Sequence, residues 1–368
     1  MTAPRPYDIA VLPGDGIGPE VVTSALRVVE EAADLSGMPI PHFDFHDAGA
    51  GRWLRTGEAM SEETFEACRS ADAILMGAIG LPEARHDDGR EVNGDVIFRL
   101  RFALDLYAGV RPVRSFPGVA SPLAAGRPVD YVVVRENVEG LYASRTGGTN
   151  VRGEVVTDTI VITERGTRKV VDQAFRIATR RSGRPRDGAR SVTCVDKANV
   201  LSSYAFFRKV FDDVADTYPA MGRDHVYVDA MTAYQVLQPD RFDVVVAENM
   251  FGDIISDLAA ATVGGLGLAA SGDIGDTHGL FQPAHGSAPD IAGSGVANPL
   301  ATVLSAAMML NWLGDRHGDP AARQAARLVE RAVDDVLGAG RTLTPDLGGS
   351  ARTEEMTGAI VAALKEAS

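Results

Sequence analysis

Three arginines and three aspartates are spaced so that an anionic substrate and a hard cation can be gripped together. Arg101 and Arg111 lie in Leu100-Arg-Phe-Ala-Leu-Asp-Leu-Tyr-Ala-Gly-Val-Arg-Pro112, and Arg135 follows the strand-like run Tyr131–Val134. A guanidinium holds carboxylates bidentately and keeps its charge when desolvated. Arg111 before a proline and Arg135 at a strand end are expected on loops that present ligand-binding groups. Asp253 and Asp257 share Asn249-Met-Phe-Gly-Asp-Ile-Ile-Ser-Asp-Leu258. At i and i+4 they leave one helix face together, with Ile254, Ile255 and Leu258 expected to pack the other side. Two carboxylates that close repel unless a cation lies between them. Mg²⁺ or Mn²⁺ fits, because both take oxygen ligands and leave positions open to water or substrate. Asp229 is expected to end a strand, Val226–Asp229, as a third acid. An isolated pair of this kind also fits a solvated helix face, so the surrounding motifs must decide.

Lys197, in Val195-Asp-Lys-Ala-Asn-Val-Leu201, is expected between a strand and a helix. Near arginines and a metal its pKa would fall, which suits a general base; an ordinary surface lysine fits the same string. Tyr142, in Glu139-Gly-Leu-Tyr, is either a proton donor or a packing residue. Leu12-Pro-Gly-Asp-Gly-Ile-Gly18 lies between a strand and a helix, but its spacing is not G-x-G-x-x-G. The string His285-Gly-Ser-Ala-Pro-Asp-Ile-Ala-Gly293, followed by Asn298-Pro, is less ordinary. Its glycines and Ser287 could bring backbone N–H groups against phosphate, and Asp290 could accept from ribose hydroxyls.

The elements that must position these groups alternate. Strand-like runs are expected at Asp8–Leu12, Ala71–Met76, Tyr131–Val134, Ser191–Val195 and Phe242–Ala247, with helices at Pro19–Leu35, Ser203–Asp216 and Gly252–Val263. Ala321–Leu337 and Glu354–Lys365 read as amphipathic helices. This is the pattern of an α/β protein with largely parallel pairing. The β-branched run Glu154–Thr163 breaks the rhythm and is expected to project as a β arm. An exposed arm needs another chain to cover it, which points to a dimer. A length of 368 residues suits two domains, with crossings expected near Tyr107–Arg111 and Val263–Gly267. The net charge of −14 argues against general nucleic-acid binding. Two cysteines are too few for a disulfide framework or a zinc site. No apolar leader or membrane span is visible, and a cytoplasmic protein is expected.

Together these strings resemble the β-decarboxylating dehydrogenases, which act on isopropylmalate, isocitrate, homoisocitrate, and tartrate or D-malate; His285–Gly293 and Gly252–Leu258 are the most specific markers. The resemblance implies an isopropylmalate/isocitrate dehydrogenase-like α/β fold rather than a Rossmann fold. It implies a discontinuous cofactor-binding domain (1–107 and 265–368) and a second domain (108–264) carrying the dimer interface and the arm, about 144–165. It implies that Arg101, Arg111 and Arg135 grip the malate carboxylates and that Asp253 and Asp257 hold Mg²⁺ or Mn²⁺. Asp229, which also touches substrate, would come from the partner subunit of a homodimer, as would Lys197, the general base. Tyr142 resembles the acid that protonates the enol. Asn199 would bind the cofactor with the helix that follows it near the nicotinamide, Gln282 would stand on the nicotinamide side, and His285, Gly286, Ser287, Ala288, Asp290 and Asn298 would lie near the adenosine half. Asp290 would accept from a 2′-hydroxyl and repel a 2′-phosphate, so NAD is expected.

In this family the residues just before Arg101 face the C3 substituent, here Gly94-Asp-Val-Ile-Phe-Arg-Leu100. Ile97 and Phe98 make an apolar wall that suits isopropyl, contributing roughly 1.5–3 kcal/mol on burial. Arg99 would admit a charged substituent if it turned inward. Arg135-Glu-Asn-Val-Glu-Gly-Leu-Tyr142 looks like the isocitrate and homoisocitrate branches, whereas Tyr227-Val-Asp-Ala-Met231 looks like isopropylmalate enzymes. The expectation is 3-isopropylmalate, as in leucine biosynthesis, with isocitrate, homoisocitrate, tartrate, D-malate or phosphonomethylmalate as alternatives. Gln282 stands where the family usually has glutamate. A non-catalytic regulatory subunit is the reading from another class.

Overall fold

Runs of β-branched residues build the sheet. The computed structural model describes residues 5–123, 127–145 and 147–367; Met1–Pro4 of the expected leaderless start and Thr146 of the expected arm lie outside the described residues. The strands are β1 (Asp8–Leu12), β2 (His42–Phe45), β3 (Ala73–Met76), β4 (Ala108–Arg114), β5 (Asp130–Glu136), β6 (Thr149–Val151), β7 (Val155–Thr157), β8 (Ser191–Asp196), β9 (Gly222–Tyr227), β10 (Val244–Ala247), β11 (Ala270–Ile274) and β12 (Gly279–Pro283). Ten of them form one sheet in the order β2-β1-β3-β12-β11-β4-β5-β10-β8-β9. The outer pairings are parallel, as the alternating pattern predicts, but β12–β11, β11–β4 and β4–β5 run antiparallel across the middle. Residues 8–76 and 270–283 supply one half of the sheet and residues 108–247 the other.

Helices cover both faces, as buried strands require. In the first half, Gly18–Ser36, Leu300–His317, Pro320–Ala339 and Thr353–Ala367 pack one face, and Glu62–Ser70 and Asn93–Ala103 the other. In the second half, Glu164–Arg180 and Ser202–Ala215 oppose Val228–Leu237 and Asn249–Thr262.

Four expectations are corrected. Asp229 does not end a strand: β9 stops at Tyr227, and Asp229 stands in the first turn of the Val228–Leu237 helix. Arg111 and Arg135 lie within β4 and β5 rather than on loops, so the sheet itself aims them. Ile254 does not pack the acid-bearing helix and is exposed; Gly252, Ile255, Ser256 and Ala259 do that instead. The β-branched arm is a short hairpin of β6 and β7 rather than a strand through Thr163, which is the N-cap of a helix. Val151, Val155 and Val156 in that hairpin are exposed.

Candidate active site

Arg101, Arg111, Arg135, Tyr142, Asp253 and Asp257 meet at one cavity of about 510 Å³, walled elsewhere by Ile97, Phe98, Gln282, His285 and Gly286. Its floor is the seam between the acid-bearing helix Asn249–Thr262 and strands β4 and β5. Glu248 caps that helix, accepting from Met250 N (3.2 Å) and Phe251 N (3.4 Å), and is itself fixed by Tyr204 Oη at 2.9 Å. Gly252 lets the helix lie against β5: a Cβ there would stand 2.8 Å from Arg135 Cβ. Close approach is therefore written into the Gly252-Asp253 pair.

The charges are interlocked. Arg135 donates to Asn249 Oδ1 from Nε (3.1 Å) and Nη2 (2.8 Å), and its Nη1 pairs with Asp253. Arg111 bridges both acids, with Nη2 3.2 Å from Asp253 Oδ1 and Nη1 3.0 Å from Asp257 Oδ1. Tyr142 Oη donates to Asp253 Oδ2 at 3.2 Å. Burial pushes Arg135 below the usual guanidinium range, aided by Arg101 and Arg111, although Asp253 pulls the other way. Burial also pushes the Asp253 carboxyl up, but the three guanidiniums outweigh it and hold the group below its ordinary range. Asp257 goes the other way, raised by burial and by the neighbouring Asp253 charge against Arg111. Tyr142 is raised, first by burial and then by Asp253, so its hydroxyl stays protonated and able to donate.

The acid pair fits a divalent cation. Both carboxylates turn an oxygen toward one cationic group, Arg111, so a positive charge between them is already what the geometry demands. Among the described residues, no cluster of three or more His, Cys, Asp or Glu side chains could complete a metal site. Asp229 and Lys197 are absent from the cavity wall; Lys197 Nζ donates to Asp229 Oδ1 at 2.7 Å. Lys197 therefore does not sit among the arginines of its own chain. Asn199 is exposed beside it.

The cofactor candidates divide. Gln282, His285 and Gly286 line the cavity. Among the described residues, His285 Nε2 and Arg111 Nε are buried with no hydrogen-bond partner. Burial keeps His285 neutral by lowering its pKa, against the Gly286 carbonyl that faces Nδ1. Ser287 is committed to structure, its Oγ donating to Gly80 O while its carbonyl accepts from Ile17 N at 2.8 Å. The Gly14–Gly18 turn thus braces the His285 loop. Its Asp15 accepts from the backbone of Ala50, Gly51 and Gly80. Ala288 packs on Ile17, and Asp290 is exposed. Asn298 binds Asp346 (2.9 Å) and caps Leu300 N (3.0 Å).

Sequence reasoning missed several site residues. Asp273 on β11, buried, takes Arg101 Nε (2.9 Å) and Asn137 Nδ2 (2.7 Å) and lies 3.4 Å from Gln282 Nε2. A lone aspartate in the apolar stretch Leu266–Ile274 was the available signal. Asn249, quoted with the metal motif, positions Arg135. Arg145 also lines the cavity, and no local pattern flagged it. Arg99, the open question, turns away to Met60 O (3.1 Å) and Glu62.

The family model for isocitrate/isopropylmalate dehydrogenase matches residues 8–360. A Methanocaldococcus jannaschii protein named 3-isopropylmalate/3-methylmalate dehydrogenase is 44% identical, over 98% of this chain and 99% of its own. A Thermus thermophilus protein named isocitrate/homoisocitrate dehydrogenase is also 44% identical, over the same 98% and 99%. The crystal structure of isocitrate dehydrogenase from Methylococcus capsulatus superposes with a TM-score of 0.85 at 36% identity, covering 98% of this chain and 99% of that one. The mixed ten-stranded sheet is therefore the fold of those enzymes and not a Rossmann fold. By both sequence and structure, the chain belongs to the isocitrate/isopropylmalate dehydrogenase family.

Proposed function

We propose that this protein oxidatively decarboxylates a malate substituted at C3, using NAD⁺ and a divalent cation. The observation that carries the reading is the convergence of the Arg111 and Arg135 guanidiniums on the Asp253–Asp257 pair, with Arg101 lining the same cavity and, among the described residues, buried Arg111 Nε and His285 Nε2 without a partner. In this reading Arg101, Arg111 and Arg135 take the two malate carboxylates. Asp253 and Asp257 hold Mg²⁺ or Mn²⁺ with Asp229 of a second copy, and Lys197 of that copy removes the C2 hydroxyl proton. When bound, NAD⁺ supplies the hydride acceptor and the cation a Lewis acid at the C2 oxygen. Loss of CO₂ from the resulting β-keto acid leaves an enol, to which Tyr142 delivers a proton at C3. We read the two halves of the sheet as the cofactor lobe and the dimerising lobe, and the protein as a cytoplasmic homodimer. Among the described residues no helix is long and apolar enough to cross a membrane.

Ile97 and Phe98 on the cavity wall support 3-isopropylmalate, and the outward turn of Arg99 supports it further. A second reading, a malate carrying a carboxyalkyl group, is supported by Arg145. The test is NADH formation from a panel of 3-substituted malates with and without Mn²⁺. Activity is expected only with the cation, and NADP⁺ is expected to give the lower kcat/KM because Asp290 repels its phosphate. Absence of NADH from every malate would leave a binding or regulatory protein.

A further inference from the structure

Arg145 sits in a constructed seat on the wall where the C3 substituent is expected. Its guanidinium lies 4.6 Å from the centroid of the Phe98 ring, a ring that Arg101 also faces at 5.9 Å. Glycine at residue 94 leaves room for this placement: a Cβ there would come within 2.6 Å of Arg145 Nη2, the end of a flexible side chain that would have to shift. Asp95 is the sole hydrogen-bond acceptor found for this guanidinium among the described residues, at 3.4 Å, and its other oxygen is held by His86 at 2.8 Å. The Arg145 side chain is only 19% exposed, so it is not a rim charge waving in solvent. Three residues after Tyr142, it follows directly on the short turn Tyr142–Ser144, and its backbone N–H donates to the Tyr142 carbonyl.

A mostly buried guanidinium with one long ion pair has donors to offer. The malate core is already matched by Arg101, Arg111 and Arg135, so this fourth arginine is surplus to it. A branched alkyl group would leave it unsatisfied beside apolar carbon, which is unfavourable. We propose that Arg145 is a specificity-determining residue that binds an oxyanion at the far end of the C3 substituent, while the stem of that substituent lies on Ile97 and Phe98. The wall is then two-part, apolar near C3 and cationic beyond it. This rests on the malate reading above and decides between its two substrate branches.

The test compares kcat/KM and calorimetric affinity for malates bearing isopropyl, carboxymethyl, carboxyethyl or phosphonomethyl groups, in wild type, Arg145→Met and Gly94→Ala. Methionine keeps the packing on Phe98 and removes the charge, whereas the alanine displaces the guanidinium without removing it. The wild type is expected to prefer an anionic substituent over isopropyl by at least about tenfold. Arg145→Met is expected to lower that preference about 100-fold, within the range lost when one partner of a buried, hydrogen-bonded charge pair is truncated. Gly94→Ala is expected to move the ratio in the same direction, and Arg145→Lys to restore part of it. The better of the carboxylate and phosphonate arms identifies which oxyanion is taken. A wild type that prefers isopropyl, or variants that weaken all substrates equally, overturns the proposal. If no malate is turned over but Arg145→Met still selectively weakens anionic ligands, the reaction falls and the role of Arg145 stands.

Discussion

Gln282 shows how one atom type can be dictated by its neighbour. Its amide nitrogen lies 3.4 Å from Asp273 Oδ2, the carboxylate that orients Arg101. A glutamate there would set two carboxylates against each other, whereas the amide offers a donor. Gln282→Glu is therefore expected to lower kcat/KM about tenfold at neutral pH and to recover toward acid pH, where a protonated glutamate again donates. A pH profile that is flat relative to wild type would show that Asp273 does not set this choice. Asp253 is the acid that Arg111, Arg135 and Tyr142 all address. Asp253→Asn is expected to reduce kcat by about 10³-fold and to abolish Mn²⁺ binding measured by calorimetry. Undiminished Mn²⁺ affinity would remove this acid from the metal site.

Among the elements, the acid-bearing helix and β5 act as one unit, clamped at Gly252 and capped by Glu248. The turn that leaves β5 is tied by Glu136, which accepts from Val138 N and Glu139 N, each at 2.8 Å. Burial raises the Glu136 pKa to about 8, with the charges of Glu139 and Glu248 adding and the two N–H donations opposing. The folded value then lies above the unfolded value of about 4.3, so the fold favours the protonated form. Its contribution is full at acid pH and is lost as pH rises toward about 8. Glu136→Gln removes one acceptor from two half-buried N–H groups and should cost about 1–3 kcal/mol near pH 5. The Tm gap to wild type should narrow by pH 8, and a gap that widens instead would contradict the raised pKa. Element types were mostly legible: β1 has the bounds expected from Asp8–Leu12. Asp229 was misplaced because Val226–Val228 is β-branched on both sides of a boundary that local propensity cannot locate.

At the scale of the molecule, one chain leaves Lys197 and Asp229 paired with each other, away from the cavity they are proposed to serve. Val200, Leu201, Tyr227, Val236, Leu237 and Ile254 are exposed on the elements that carry these residues and the acid pair. Under the proposed homodimer a second copy would cover such residues, the outward Ile254 beside Asp253 among them. Complementation tests the shared site. Lys197→Met and Asp253→Asn subunits, each inactive alone, should regain about a quarter of wild-type activity after mixing and subunit exchange, because each heterodimer holds one intact site. No recovery from verified heterodimers would place the whole site in one chain.

The sequence by itself determined the alternating α/β architecture and the identities of the arginines, the acid pair, Tyr142 and the His285 loop. Each of these is carried by side-chain type and short-range spacing, which need no fold to be read. Only the tertiary structure decided that Asp273 aims Arg101, that Arg99 turns away, and that Arg145 occupies the space left by Gly94. Asp273 and Arg101 are joined across 172 residues of sequence, and a gap at one residue becomes a seat for another only when a loop is laid over a helix. Such juxtapositions follow from packing, which no local spacing records.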